Sequence, residues 1–152
     1  YDGGGHFTGI NAVIHVSTDF VFDGLKSTPY LETDKANPLG VYGETKFRGE
    51  ELLRRYPRHI IVRTSWLYGA AGPNFVKTML RLAADKDVLR VVYDQTGSPT
   101  WTKDLAGALA LAAKGIGDMP AGVYHYSNEG VASWYDFTVA IIEEEERYAG
   151  PF

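Results

Sequence analysis

The sequence contains no cysteine, which excludes a disulfide framework and a thiolate metal site. It has no apolar run approaching the ~20 residues that span a bilayer, so no membrane segment is expected. The net charge of -4 offers no broad cationic surface, which argues against nucleic acid as a partner. The four histidines share no metal-ligand spacing and predict no zinc site. These absences favour a soluble, cytoplasmic protein.

The chain has 152 residues, of which 45% are hydrophobic and 22% are charged, enough for one globular core. Residues 1–9 combine a glycine run with polar residues, and they lack the basic start and apolar stretch of a signal peptide. We expect a frayed or artificially added terminus there. Residues 10–152 form the predicted domain.

The glycine-rich turn of dinucleotide-binding folds is also missing, since no G-x-G-x-x-G or G-x-x-G-x-x-G run is present. The consecutive glycines at positions 3–5 precede no predicted helix and do not replace it. The chain is therefore expected to begin in the middle of a fold, after the portion that would hold a pyrophosphate.

Branched runs alternate with helical patterns, which is typical of a parallel sheet covered by helices. This predicts an α/β fold: the C-terminal part of a Rossmann-like parallel sheet with covering helices, plus part of a small substrate-binding region. The predicted strands are 12–17, 60–65 and 89–93, and the predicted helices are 42–56, 74–85, 104–114 and 133–148.

Tyr42 and Lys46 lie four residues apart on a predicted helix, so their side chains leave the same face. A fixed ammonium beside a phenol favours the phenolate and helps the phenol to donate and recover a proton. Such a pair also occurs by chance as a tyrosine and a surface lysine, and its context must decide.

That context is Ser17-Thr18-Asp19, which follows the first predicted strand. Ligands of open α/β sheets bind beyond the carboxyl ends of the strands. A hydroxyl and an acidic phenol that converge on one carbonyl oxygen can polarise it and protonate the alkoxide as hydride arrives, which is carbonyl reduction. The alternative is that these residues only turn the chain and cap the next segment.

Longer motifs extend the pattern over residues 10 to 148, and together they resemble the dTDP-4-dehydrorhamnose reductases of the extended short-chain dehydrogenase/reductase group. The Ser-Thr-Asp and Tyr/Lys motifs are shared by many sugar-nucleotide enzymes, whereas two later blocks are more specific. These blocks are Arg63-Thr64-Ser65-Trp66 and Asp94-Gln95-x-Gly97-x-Pro99-Thr100. Phe20 departs from the family, which usually has tyrosine there.

The resemblance implies NADPH- or NADH-dependent reduction of the C4 keto group of a nucleotide-linked sugar, dTDP-4-dehydro-L-rhamnose. It implies that Tyr42 is the proton donor and that Thr18 bonds the substrate carbonyl. Lys46 would assist Tyr42 and bond the nicotinamide ribose. We also expect Ser17, with Tyr42 and Lys46, near the cofactor, and Asp19 along the sugar.

Two further signals concern binding. Trp66 follows the second predicted strand, and this strand-end position favours stacking on a sugar face or nicotinamide over the alternative, a core position. Gln95 and Thr100 lie in a Gly/Pro-rich turn that could donate hydrogen bonds to substrate. The run Glu143–Glu146 suggests a solvated helix end, with Mg²⁺ binding a weaker hypothesis and no metal site predicted.

Three hypotheses stay open at this point. The first is a reductase that acts on a nucleotide sugar, for which a homodimer is one possible assembly. The second is an epimerase or dehydratase of the same superfamily, which would need the same Tyr/Lys pair. The third is a non-catalytic regulatory subunit that keeps the fold.

Overall fold

The branched run that follows Pro57 forms the central strand of a three-stranded parallel sheet. The structure is a computed structural model that describes residues 11–150, so the terminus expected at residues 1–9 lies outside the described part. Strand β2 (His59–Thr64) lies between β1 (Val13–Thr18) and β6 (Gly122–His125). Both flanking strands run parallel to it. The predicted α/β class with a parallel sheet is therefore confirmed.

The register of the sheet places the ends of its strands side by side. Val13 pairs with His59 and Thr18 with Thr64, so β1 and β2 end at the same edge. From Ile60 onward β2 is buried at every position, as expected for a central strand covered on both faces. The sheet therefore brings the residues that follow β1 and β2 to one edge.

The remaining elements follow in chain order. A short 3-10 helix, Asp19–Val21, comes directly after β1. The described residues form four α-helices: α1 (Val41–Leu53), α2 (Phe75–Asp85), α3 (Thr102–Lys114) and α4 (Trp134–Ala149). The short strands are β3 (Leu67–Tyr68), β4 (Thr96–Gly97), β5 (Thr100–Trp101) and β7 (Ala132–Ser133). All four predicted helices are present, with ends shifted by up to three residues.

Two compact units divide the chain. The first comprises Tyr1–Thr64 and Gly107–Tyr126 and contains the parallel sheet with α1. The second comprises Ser65–Ala106 and Ser127–Phe152, where β3 pairs with β5, β4 pairs with β7, and α2 packs on α4. Among residues 11–150, no helix is long and apolar enough to span a bilayer.

The strand predicted at 89–93 is wrong. Among residues 11–150 this segment pairs with no strand, and its Val92 carbonyl instead accepts a hydrogen bond from the Tyr135 N–H at the start of α4. Leu89 and Val91 line cavities beside α2 and α4, so the branched residues pack on helices. The third strand of the sheet is β6, whose four residues include a glycine and a histidine and give only a weak strand signal.

Helix α4 begins with a complete capping box. The Ser133 hydroxyl accepts the Asp136 N–H at 3.0 Å, and the Asp136 carboxylate accepts the Ser133 N–H at 2.9 Å. Both bonds satisfy N–H groups that a helix start leaves without partners. The Ser133 hydroxyl also donates to the Asp136 carboxylate, and this bond, together with the one from the Ser133 N–H, holds the pKa of Asp136 below its ordinary value.

We predict that Ser133→Ala lowers the free energy of unfolding by about 1 kcal/mol, because an N-cap side chain is lost. Urea unfolding monitored by circular dichroism measures the change. The control is Ser27→Ala, at an exposed serine in a loop, which should stay within about 0.5 kcal/mol of the original chain. Equal effects of the two substitutions would contradict the capping role.

Candidate active site

Thr18 ends β1 and begins the short 3-10 helix. Its Oγ1 accepts the Phe20 N–H at 3.2 Å and donates to Asp19 Oδ1 at 3.0 Å. Burial raises the pKa of Asp19, and the hydrogen bond from Thr18 and bonds from backbone N–H groups only partly oppose it. The hydroxyl thus lies at the carboxyl edge of the sheet. Thr18 caps the next segment, as the turn interpretation requires, and it also stands where ligands of such sheets bind, so the two interpretations are compatible.

Helix α1 carries Tyr42 and Lys46 next to this strand end. The Tyr42 side chain is 58% exposed, and its ring meets Phe20 edge to face with centroids 5.8 Å apart. Within the described part of the chain, its hydroxyl has no hydrogen-bond partner, so it is available to hydrogen-bond a ligand. The Lys46 ammonium donates to the Val16 carbonyl of β1 at 2.6 Å.

Gly43 explains how α1 approaches the strand end so closely. A Cβ on Gly43 would lie 2.1 Å from the Phe20 carbonyl oxygen and 3.0 Å from its carbon, both backbone atoms. A real Cβ cannot occupy that position, so any side chain here must push the helix away. Only glycine allows Tyr42 and Thr18 to remain on closely packed segments.

A buried ion pair lies one turn beyond Lys46. Glu50 is fully buried, and its carboxylate accepts Arg63 Nε at 2.9 Å and Nη2 at 2.7 Å. The Ser17 hydroxyl donates to the same carboxylate at 2.5 Å. Burial alone would raise the pKa of Glu50, but the bonds from Arg63 and Ser17 and the nearby guanidinium charges outweigh it and hold that pKa below its ordinary value.

The predicted role of Ser17 near a cofactor stays a prediction, since its hydroxyl proton points to Glu50. Sequence reasoning assigned no role to Glu50 or Arg63. A signal for them existed: Tyr42, Lys46 and Glu50 repeat at helical spacing, and Arg63 is a charged residue within a strand of branched residues.

Trp66 belongs to the second unit. Its backbone has a φ of 47°, and its ring stacks on Trp134 with centroids 3.5 Å apart and planes 6° apart. A Cβ on Gly97 would lie 2.5 Å from the same ring. One face of Trp66 is thus covered by protein, and its contact with a sugar stays a prediction. Sequence reasoning did not identify Trp134 as its partner.

The other predicted binding residues differ in access. Gln95 lines a cavity of about 290 Å³ whose walls include Phe75, Met79 and Trp134. Thr100 is fully buried, and its hydroxyl donates to the Ser98 carbonyl at 3.3 Å. Only Gln95 of these two retains a polar group beside a cavity, and its role in binding stays a prediction.

Acidic residues supply no evident metal centre in residues 11–150, where no group of three or more potential ligands is found. Within the run Glu143–Glu146, Glu144 pairs with Arg147 at 2.5 Å. The structure therefore adds no support to the magnesium hypothesis.

A parallel sheet whose first strand ends in Ser-Thr and is followed by Asp, with a Tyr-x-x-x-Lys helix packed on it, defines a Rossmann-like protein of the short-chain dehydrogenase/reductase superfamily. The chain belongs to the family of the RmlD substrate binding domain, whose model matches residues 8–150. The family expected from the sequence motifs is confirmed.

Individual relatives agree with this assignment. A dTDP-4-dehydrorhamnose reductase of Aggregatibacter actinomycetemcomitans is 52% identical over 138 residues, which are 88% of this chain and 47% of the relative. A reductase structure of that name from Clostridium acetobutylicum matches with a TM-score of 0.82 at 43% identity, over 87% of this chain and 46% of the other.

Another solved dTDP-4-dehydrorhamnose reductase, from Bacillus anthracis and in complex with NADP, has a TM-score of 0.79 at 39% identity. The match covers 89% of this chain and 48% of that structure. The chain thus spans about half the length of the relatives it matches.

We predict that Gly43→Ala lowers the free energy of unfolding by about 1–3 kcal/mol, because the new methyl group overpacks against the Phe20 backbone. Gly49→Ala is the matched control in the same helix, since its Cβ would lie 3.7 Å from the His15 ring, an ordinary contact. That control should be neutral or stabilising by up to about 1 kcal/mol. Urea unfolding compares them, and similar effects would contradict the close approach.

A second prediction concerns pH. Because the folded pKa of Glu50 is lowered, its stabilisation is present above the unfolded pKa and is lost as pH falls through the folded pKa. Glu50→Gln should lower the free energy of unfolding by about 3–5 kcal/mol at neutral pH, since the Arg63 charge stays buried without its partner. The deficit should shrink in acid, where the original chain also loses its carboxylate.

Unfolding measured at a series of pH values tests this, with Glu51→Gln as the control at an exposed carboxylate on the same helix. The control should show a small deficit that changes little with pH. A Glu50→Gln deficit that stays constant into acid would show that the carboxylate charge is not what stabilises the fold.

Proposed function

We propose that residues 10–152 are the catalytic and substrate-binding part of a reductase that converts dTDP-4-dehydro-L-rhamnose to dTDP-L-rhamnose, a precursor of cell-surface polysaccharide. The observation that carries the proposal is the exposed Tyr42 hydroxyl on a helix whose Lys46 is bonded to β1, the strand that ends at Thr18. The family and the names of the relatives support the choice of substrate.

NADPH, or NADH in its place, supplies the hydride when bound. The described residues fit its nicotinamide ribose end, because an ammonium has three donors and Lys46 uses only one, on Val16. The NADP in the Bacillus anthracis relative supports this cofactor. Tyr42 is proposed beside Lys46 at this end of the cofactor. Ser17 is proposed near the cofactor only through its position before Thr18, while its hydroxyl stays bonded to Glu50.

The proposed chemistry centres on the C4 carbonyl of the sugar. Thr18 Oγ1 turns its proton from Asp19 to the carbonyl oxygen and polarises it. As hydride adds to C4, the C=O double bond becomes a C–O single bond, and the Tyr42 hydroxyl gives its proton to that oxygen. The Lys46 ammonium stabilises the resulting phenolate, which regains a proton from solvent. Asp19, Trp66 and Gln95 are proposed as contacts to the nucleotide sugar.

The proposal is tested in a chain extended to the length of the relatives. With NADPH and dTDP-4-dehydro-L-rhamnose, we expect loss of NADPH absorbance and formation of dTDP-L-rhamnose, identified by NMR. Conversion of other dTDP- or UDP-sugars without net consumption of NADPH would indicate an epimerase or dehydratase instead. Binding without any conversion would favour the regulatory subunit.

The proposal also covers the cellular location and the oligomeric state. A cytoplasmic location is proposed, where dTDP-sugars and NADPH are both supplied, and a homodimer is the assembly to test. Light scattering of the extended chain would show twice the monomer mass if the dimer forms.

We predict that Tyr42→Phe in the extended chain lowers kcat by at least about a hundredfold, because the ring remains but the proton donor is gone. Tyr148→Phe, at a tyrosine that is 83% exposed in α4, is the control and should leave kcat unchanged. Steady-state kinetics measures both, and a Tyr42→Phe variant that reduces the sugar at the original rate would exclude Tyr42 as the donor.

A further inference from the structure

We propose that Glu50 is a positioning residue of this reductase: its buried carboxylate fixes helix α1 so that Tyr42 and Lys46 are held against the strand that ends in Thr18. The inference rests on the proposed function and adds to it a residue that touches neither substrate nor cofactor.

Glu50 joins three elements of the first unit. It lies on α1, accepts two hydrogen bonds from Arg63 of β2, and accepts one from Ser17 of β1. Both Glu50 and Arg63 are buried, with relative exposures of 0% and 3%. The planar guanidinium bonds the carboxylate at two points, which fixes direction as well as distance.

Two anchors one helical turn apart attach α1 to consecutive residues of β1. Lys46 bonds the Val16 carbonyl, and Glu50 bonds the Ser17 hydroxyl. A slide of the helix by one residue would move it about 1.5 Å and break both bonds. Because Tyr42 lies one further turn along the same helix face, the two anchors determine where its hydroxyl stands relative to Thr18, the next residue of β1.

Stability alone does not explain an ion pair in this place. Two charges lose their hydration when buried, and apolar residues of similar volume are often as stable. A buried pair does provide directional bonds, which apolar packing lacks, and proton transfer is sensitive to displacement on the order of 1 Å. The geometry therefore points to alignment of the proton donor as the property that Glu50 supplies.

The experiment uses the extended chain and a paired variant, Glu50→Leu with Arg63→Met, which removes both charges and leaves neither one unpaired. We expect this variant to fold, to keep the KM for the 4-keto sugar within about twofold, and to lose about tenfold to a hundredfold in kcat. A merely structural role would leave kcat unchanged once the chain is folded. Glu51→Gln is the control, with the original kcat expected.

Ser17→Ala is a second, less disruptive variant, because it removes only the bond from β1 to Glu50 and keeps the ion pair between Glu50 and Arg63. We expect a lower kcat with an unchanged Kd for NADPH measured by calorimetry. A raised Kd with the original kcat would make Ser17 a cofactor contact and overturn its anchoring role. If the paired variant fails to fold, the kcat of Ser17→Ala decides, and the original value there overturns the proposal.

The two proposals fail in different ways. No reduction by the original extended chain would remove the proposed function. Reduction by the original chain together with an unchanged kcat in the folded paired variant would remove only the positioning role of Glu50.

Discussion

The ion pair between Glu50 and Arg63 is the interaction on which the first unit depends. It connects α1 to the central strand of the sheet, and through Ser17 it also reaches β1. A buried carboxylate is tolerated only when its oxygens are hydrogen-bonded and its charge is balanced, and both conditions are met here. The arrangement of α1, β1 and β2 is therefore fixed by directional bonds as well as by apolar packing.

The site follows from that arrangement. Strand β1 ends with Thr18 at the carboxyl edge of the sheet, and α1, which packs on β1, carries Tyr42 and Lys46. Gly43 allows the helix start to pack closely against the Phe20 backbone, where a side chain would clash. The residues proposed to move a proton are thus placed by the end of β1, by Gly43 and by the anchors at Lys46 and Glu50. Of these, Gly43 and Glu50 act without contacting the substrate.

The second unit is organised by aromatic packing instead. Trp66 adopts a left-handed backbone conformation, which costs a non-glycine residue on the order of 1 kcal/mol, and its ring stacks on Trp134. Phe75 and Phe137 extend this aromatic cluster between α2 and α4. A strained backbone held by a stacked ring indicates that the position of the Trp66 ring is closely constrained, whether or not it contacts a sugar.

Local chemistry allowed much of the protein to be read from its sequence. Helical spacing identified all four helices, branched runs identified β1 and β2, and Tyr42 with Lys46 stood out because four residues make one helical turn. The segment at 89–93 was assigned incorrectly, because a branched run suits a helix-covered groove as well as a strand. Strand β6 was missed, because its glycine and histidine give a weak strand signal. Only the tertiary structure brought Glu50, Arg63 and Ser17 together and paired Trp66 with Trp134. Those contacts join residues 13 to 68 positions apart, and periodicity along the chain carries no information about which distant side chains will share a buried space.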